Sequence, residues 1–144
     1  MTVNGEYAPS AAGWVREQVE LYESTGGAEG GTFKGRPIVV VTSLGAKSGK
    51  VRKHPAMRVE HEGRYALVAA SGGDPQHPSW YFNLVAHPEI QLQDGSVKRE
   101  YVVRETTGEE RALWWERAVA AYPLYTEYAA LTDRVLPVLV AEPV

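Results

Sequence analysis

A run of short, β-branched segments joined by tight turns is the feature that most restricts how this chain can fold. Pro37–Thr42 (PIVVVT) is a continuous apolar run that suits a buried strand. Two predicted strands, Arg52–Glu60 and Arg64–Ala70, flank the dipeptide Glu62-Gly63, which is typical of a hairpin turn. This stretch therefore predicts consecutive strands of an antiparallel sheet.

A second hairpin and a final strand are predicted further along the chain. Ile90–Gln93 and Val97–Arg104 flank Asp94-Gly95, a strong turn signal. Val135–Val140 is the last predicted strand, and Pro137 within it indicates an edge position or a bulge. About six antiparallel strands tend to close into a small barrel, because closure removes exposed strand edges.

Helices are predicted on both sides of this β-rich centre and once within it. The predicted helices are one capped by Ser10 and running to about Glu23, Trp80–Ala86, one opened by a Thr107–Glu110 capping box and running to about Ala121, and one from Pro123 to about Leu131. Gly26–Gly31 (GGAEGG) is predicted to be a flexible linker. The pattern as a whole predicts an α+β, mainly β fold.

Composition excludes several classes of function. The 144 residues include no cysteine, which rules out disulfides and zinc–thiolate sites and is compatible with the cytoplasm. A net charge of −3 does not attract nucleic acid, and the four histidines show no metal-binding spacing. Met1–Ala11 lacks the pattern of a signal peptide, and no apolar run approaches the roughly 20 residues that span a bilayer. Membrane attachment through the N-terminal helix is compatible with its mixed charges but is not favoured.

Thr42–Pro55 (TSLGAKSGKVRKHP) is the first segment with the residue types of a binding site. Gly45 and Gly49 allow a tight turn whose backbone amides can form an anion nest. The basic residues concentrated in and just after this segment are Lys47, Lys50, Arg52, Lys53 and Arg58. A solvated, charged hairpin is the alternative interpretation. The segment is not a P-loop, because Leu44 and Val51 stand where that motif requires Gly and Ser or Thr.

Two further segments have candidate site residues. Ala69–Leu84 (AASGGDPQHPSWYFNL) combines small residues, which leave room for a flat ring, with aromatic residues that can stack on one. Its alternative interpretation is a surface loop followed by a core helix. Tyr122–Arg134 (YPLYTEYAALTDR) has Tyr125 and Tyr128 on one helix face, where they form either the roof of a pocket or ordinary core packing.

These three segments, in this order and spacing, resemble the deazaflavin (F420)-dependent nitroreductase and quinone reductase family. The resemblance covers roughly Gly35–Pro143 and includes HPSWYFNL, the HPEIQLQ strand and DRVLPVLVAEP. It implies a split β-barrel, similar to that of FMN-binding oxidases. The resulting division is an N-terminal helix and linker in residues 1–30 and a deazaflavin-binding split barrel in residues 31–144, together forming one domain.

The resemblance also implies the site residues and the chemistry. The residues expected to bind coenzyme F420 are Lys47, Ser48, Gly49, Arg52, His54, Pro55, Met57, Ala69, Ala70, Ser71, Gly72, His77, Trp80 and Asn83. The residues expected to act on the acceptor are Ser71, Tyr122, Tyr125 and Tyr128. The expected reaction is hydride transfer to an activated alkene, quinone or nitro compound. Tyrosines with an ordinary pKa near 10 are candidate proton donors.

Three positions depart from the family pattern, and several alternatives stay open. Ala46 and Gly72 stand where relatives place basic residues, and Met57 replaces an aromatic residue of some nitro-reducing relatives. These differences weaken the case for nitroimidazole reduction. The alternatives are an FMN-dependent enzyme on the same barrel, a non-catalytic carrier of deazaflavin or a lipid-like ligand, and a structural module. The expected partner is a small-molecule electron acceptor, and the expected state is a monomer or weak dimer.

Overall fold

The computed structural model describes residues 3–144, so Met1 and Thr2 of the predicted N-terminal segment lie outside the described residues. The helices are α1 Gly13–Ser24, α2 Ser79–Ala86, α3 Gly108–Ala121 and α4 Leu124–Ala130. The strands are β1 Thr32–Phe33, β2 Arg36–Leu44, β3 Val51–Met57, β4 Glu60–His61, β5 Arg64–Val68, β6 Glu89–Asp94, β7 Val97–Glu105 and β8 Val138–Pro143. The six longer strands correspond to the six that the sequence predicts.

β2 is the strand from which the sheet is built. It pairs with β3 along its length, with β6 through Val40–Thr42, and with β1 near its start. Ile38 and Val40 lie in one apolar core, while Val39 and Val41 lie in a second core on the opposite face. A continuous β-branched run therefore suits this position, because both faces of the strand are buried.

The remaining strands complete a curved antiparallel half-barrel. Their order is β1-β2-β6-β7-β8-β5-β4, with β3 pairing β2 beside this path. The first core packs against α1, α3 and α4, and the second receives Leu84 of α2. The helices therefore cover the barrel on more than one side, and α2 packs against β2.

Tertiary contacts change two predicted strand features. The predicted strand 52–60 is divided between β3 and β4, because the Arg58 amide bonds to Pro37 O while Val59 O accepts from Ala66 on the other side. The edge position predicted from Pro137 is wrong. Pro137 precedes β8, so the strand loses no amide donor and lies between β7 and β5.

Local capping predictions are also wrong at two helices. α1 begins at Gly13, and the Ser10 hydroxyl instead accepts from the Ala12 amide. Thr107 precedes α3 without a side-chain cap, because Glu110 binds the Arg104 guanidinium at 2.6 and 2.7 Å. A two-point bond to a guanidinium is stronger than one neutral capping bond, so it determines where the carboxylate lies.

Two connections also differ from the expectation. The β6–β7 loop is Gly95-Ser96 rather than the predicted Asp94-Gly95, because Asp94 already belongs to β6 and pairs with Val97 of β7. Residues 26–31 form a compact turn rather than a flexible linker, since the Gly27 amide bonds to Tyr22 O at 2.8 Å. A Cβ at Gly27 would lie 2.6 Å from Gly95 Cα. The glycine-rich segment is therefore packed against the β6–β7 loop.

This packing leads to a stability prediction with a matched control. Gly27 and Gly63 have φ of +82° and +79°, but a Cβ at Gly63 meets no atom within 4 Å. Gly63→Ala is expected to lower the free energy of unfolding by about 1 kcal/mol through backbone strain alone. Gly27→Ala is expected to lower the free energy of unfolding by about 1–3 kcal/mol more than Gly63→Ala does, because the new Cβ forces the backbone at Gly27 away from that at Gly95. Urea denaturation measures both, and equal losses would show that the close approach is unimportant.

Candidate active site

Two cavities of about 620 Å³ each lie side by side between β2, β3, α2 and the C-terminal helices. Ser79 lies in the walls of both, so the two cavities adjoin, and we refer to them together as the cleft. We call them the apolar cavity and the basic cavity. The predicted site residues in the wall of the apolar cavity are His54, Pro55, Met57, Ala70, Ser71, Gly72, Trp80, Tyr122, Tyr125 and Tyr128. Those in the wall of the basic cavity are Lys47, Ser48, Arg52 and Asn83.

The basic cavity is formed by the turn between β2 and β3. The Gly45 amide bonds to Lys50 O at 2.8 Å, and the Gly49 amide returns to Gly45 O at 3.0 Å. Asn83 Oδ1 accepts from the Ala46 amide at 2.9 Å, which ties the turn to α2. The turn is therefore held in shape from within and by the neighbouring helix, so its side chains face a preformed concave surface.

Ion pairing separates the five basic residues of this region into two groups. Lys53 binds Glu23 at 2.6 Å, Arg58 binds Asp94 at 2.9 Å, and Lys50 lies 3.6 Å from Glu6. Within residues 3–144, Lys47 and Arg52 have no carboxylate partner, and both line the basic cavity. Of the five basic residues in this region, the two without a carboxylate partner therefore line the cleft, where an anionic group would be stabilised.

His54 lies on β3 at the wall of the apolar cavity. Its ring stacks on Trp80 with centroids 4.8 Å apart and planes inclined by 14°. Its Nε2 atom is buried and has no hydrogen-bond partner among the described residues. Burial lowers the pKa of His54 to about 3, so the imidazole is neutral at physiological pH. A buried polar atom without a partner at a cavity wall is the kind of group that a bound ligand satisfies.

Ser71, Gly72 and Gly73 form what we call the left-handed turn. Their φ angles are 48°, 62° and 83°, a conformation that is strained for the non-glycine residue Ser71. A Cβ at Gly73 would lie 2.8 Å from Tyr128 O, so the turn touches α4 through its backbone. This strained backbone places Ser71 and Gly72 in the cavity wall, as strain near functional sites often does.

The three tyrosines form the opposite wall of the apolar cavity. The hydroxyls of Tyr122 and Tyr128 lie 2.8 Å apart, and Tyr125 packs edge-on against Tyr122 with ring centroids 5.0 Å apart. Burial raises the pKa of Tyr122, with a further contribution from the Tyr128 hydroxyl, and burial also raises the pKa of Tyr125. The ordinary pKa expected from the sequence is thus wrong for both, and they remain neutral hydrogen-bond donors.

Three predicted residues line neither cavity. Gly49 shapes the basic turn through its positive φ of 67°, and Ala69 is fully buried beside β8. His77 packs on Tyr81 with ring centroids 4.6 Å apart, and its Nδ1 lies 2.9 Å from Arg134 Nη1. These residues therefore support the walls of the cleft from behind rather than facing a ligand in it.

The N-terminal part of the chain supplies a wall that the sequence did not predict. Trp14 of α1 stacks on Phe33 of β1 with centroids 5.7 Å apart, and both line the apolar cavity. The wall residues that were missed are Ala12, Trp14, Val15, Phe33, Ile38, Gly45, Ala46, Ala56, Val68, Pro78, Ser79 and Phe82. Trp14 is 56% exposed. Its position beside a cavity is visible only in the folded chain, so no pattern in the sequence pointed to it.

Other kinds of site find no support in the described part of the chain. Residues 3–144 contain no group of three histidine, aspartate or glutamate side chains placed to hold a metal ion. None of the described helices has both the length and the apolar character needed to cross a bilayer. The cleft is therefore the site from which a function can be inferred.

Comparison with known proteins agrees with this geometry. Residues 14–143 match the family of F420H2-dependent quinone reductases. An F420H2-dependent quinone reductase of Mycobacterium tuberculosis is 28% identical over 124 residues, which are 83% of each chain. The solved structure of an F420-H2 dependent reductase is 56% identical, with a TM-score of 0.71, and covers 74% of this chain and 95% of its own.

A second solved structure, described as a domain-swapped dimer, is 51% identical with a TM-score of 0.73 and covers 92% of this chain and 100% of its own. The mainly β, split-barrel prediction and the deazaflavin prediction are thus confirmed together. The chain belongs to the F420H2-dependent quinone reductase family, whose members are oxidoreductases with coenzyme F420 as their cofactor.

Proposed function

We propose that this protein transfers a hydride from reduced coenzyme F420 to quinones and to activated alkenes such as enones and unsaturated lactones. The observation that carries the proposal is that the two cavities adjoin at Ser79. One cavity offers unpaired positive charge, and the other offers apolar walls with neutral hydroxyls. An acidic cofactor tail and a flat, uncharged acceptor need these two environments next to each other.

The residues present fit the chemistry of coenzyme F420. Its phosphate and carboxylate tail matches Lys47 and Arg52, the two cations of the basic cavity, which have no carboxylate partner among residues 3–144. Its flat ring system matches the small residues Ala70 and Gly72 and the buried, unpartnered Nε2 of His54. When bound, the reduced deazaflavin supplies a carbon that donates a hydride. The protein supplies orientation and a defined electrostatic environment.

The acceptor side of the cleft is suited to carbonyl compounds. Hydride addition to a quinone or enone places negative charge on the carbonyl oxygen, and donors aimed at that oxygen lower the barrier. The hydroxyls of Tyr122, Tyr128 and Ser71 are the candidate donors in this wall. Phe33, Met57 and Val68 line the same cavity and exclude water from it, which strengthens such hydrogen bonds.

The paired tyrosine hydroxyls are suited to donating a hydrogen bond to the oxygen that becomes negative. At 2.8 Å one hydroxyl donates to the other, so the proton of the accepting hydroxyl stays available for a ligand. Tyr122 is neutral at physiological pH, and burial raises its pKa further, so the pair donates a hydrogen bond but is a weaker acid than a free phenol. We assign charge stabilisation to this pair, with Tyr125 supporting it by edge-on packing.

Nitro compounds are expected to be poorer acceptors. Reduction of a nitro group builds negative charge on two oxygens, which a nearby cation would stabilise best. The described residues that line the apolar cavity include no lysine or arginine, and Met57 and Gly72 occupy the positions noted above. Only neutral hydroxyls therefore face the acceptor, and carbonyl compounds with one developing oxyanion fit them better.

The direct test is oxidation of reduced coenzyme F420 in the presence of the protein and one acceptor at a time. Menadione and a coumarin-type lactone are expected to be reduced, and a nitroimidazole more slowly. Fluorescence of the oxidised coenzyme follows the reaction, with protein-free and acceptor-free mixtures as controls. Tight coenzyme binding without oxidation by any acceptor would instead indicate a carrier.

The basic cavity generates a prediction about affinity. Replacing both Lys47 and Arg52 by alanine is expected to weaken coenzyme binding about 100-fold or more, since each charge-assisted bond contributes ~1.5–3 kcal/mol. Lys50→Ala is the matched control, because that side chain pairs with Glu6 and does not line either cavity. Quenching of intrinsic tryptophan fluorescence measures the affinity. Equal affinity of all three proteins would place the acidic tail elsewhere.

The hydroxyl pair generates a prediction about turnover. Tyr122→Phe combined with Tyr128→Phe is expected to lower kcat with menadione about ten- to hundredfold, because both tyrosine hydroxyls that donate to the developing oxyanion are lost. Either single change is expected to lower kcat less, since the remaining tyrosine hydroxyl can still donate a hydrogen bond to the acceptor. Tyr81→Phe is the control, because its hydroxyl binds Glu105 at the surface at 2.6 Å. Unchanged kcat in the double variant would exclude the pair from the reaction.

A further inference from the structure

Arg134 lies behind the left-handed turn and donates hydrogen bonds to three backbone carbonyls that flank it. Its Nη1 donates to Ala69 O at 3.0 Å, and its Nη2 donates to Ala70 O at 2.8 Å. Its Nε donates to Asp74 O at 2.8 Å. One planar guanidinium therefore binds the two residues before the turn and the residue directly after it.

The conformation of the turn makes such support necessary. Ser71 has φ of 48° without being glycine, and Gly72 and Gly73 continue in the same left-handed region. A single residue in this region is common in turns, but three in succession with a serine first need restraint from the surroundings. Arg134 supplies that restraint by binding the carbonyls on both sides of the turn.

The restraint reaches the tyrosine wall through a backbone contact. Gly73 approaches α4 so closely that a Cβ would lie 2.8 Å from Tyr128 O and 3.0 Å from Leu131 Cβ. Ser71 and Gly72 on one side and Tyr128 on the other line the same apolar cavity. The position of the turn therefore sets the width of the gap between the serine and tyrosine hydroxyls.

We propose that Arg134 is a positioning residue that holds the left-handed turn against α4 and thereby sets the spacing of the groups around the reacting acceptor. The inference rests on the proposed function for its effect on turnover. Arg134 itself lines neither cavity, so it acts through the turn and not on a ligand.

The neighbouring imidazole orients the guanidinium. Arginine has donors only, so in the 2.9 Å contact between Arg134 Nη1 and His77 Nδ1 the imidazole nitrogen accepts. His77 thus offers Nδ1 as an acceptor to Arg134. Its ring is in turn packed on Tyr81 and Phe82 of α2. Helix α2, the guanidinium and the turn form one connected support behind the cleft.

The test compares Arg134→Lys with Arg111→Lys. Lysine keeps the charge but lacks the planar array of donors that reaches three carbonyls. Arg111 is the matched control, because its Nη2 donates to Leu136 O at 2.7 Å without touching the turn. Amide resonances of Ser71, Gly72 and Gly73 in nitrogen-15 spectra of the protein without ligand are expected to shift or broaden in Arg134→Lys alone.

Turnover provides the second readout. In Arg134→Lys, kcat with menadione is expected to fall about tenfold or more, because small misplacement of reacting groups has large effects on rate. Coenzyme affinity is expected to stay near that of the unaltered protein, since Lys47 and Arg52 are unchanged. His77→Phe keeps an aromatic ring beside Tyr81 but cannot accept from Arg134. It is expected to give a smaller change in both readouts and covers the case in which Arg134→Lys does not fold.

The outcomes separate this inference from the proposed function. Unmoved turn resonances in the folded Arg134→Lys protein, or equal shifts in Arg111→Lys, would overturn the inference whatever the activity. Unchanged kcat despite a displaced turn would also overturn it, because the turn would then not set the reacting geometry. Absence of quinone reduction by the unaltered protein, together with displaced resonances in Arg134→Lys, would overturn the proposed function and leave the structural role of Arg134 supported.

Discussion

Burial of β2 on both faces is the constraint on which the rest of this structure depends. Ile38 and Val40 anchor the core beneath α1, α3 and α4, while Val39 and Val41 anchor the core that includes α2. The same strand pairs with β3 and β6, and it leads directly into the basic turn. A polar residue in its centre would disturb both cores at once and would also move the turn that lines the basic cavity.

Charge compensation determines where this acidic protein can hold an anion. Lys53 and Arg58 are held by Glu23 and Asp94, partners contributed by α1 and by the end of β6. Lys47 and Arg52 remain without such partners among residues 3–144 and face the basic cavity. A region that is basic in sequence therefore becomes a site because its neighbours neutralise some of its charges and leave two of them available.

Local signals predicted the elements well but predicted their ends less well. The two hairpins and the β-branched run are properties of a few adjacent residues, and the structure contains all of them. Partners outside the local motif altered the details. Glu110 binds Arg104, six residues earlier, instead of capping α3, and Asp94 accepts from the distant residues Arg58 and Tyr65 instead of forming the turn. A charged partner outside the motif outweighs a neutral hydrogen bond within it, and the motif alone does not reveal that partner.

The sequence by itself determined the antiparallel strands, the basic turn and the family, because each depends on residue types at fixed spacing along the chain. Tertiary structure alone decided which of those residues share a wall, since Trp14 and Phe33 reach the cleft only after α1 folds back over β3. It also decided that the pKa values of Tyr122 and Tyr125 are raised and that Arg134 binds carbonyls beside a turn some sixty residues away. Burial, proximity and pKa are properties of packing, and packing joins residues that the order of the chain keeps apart.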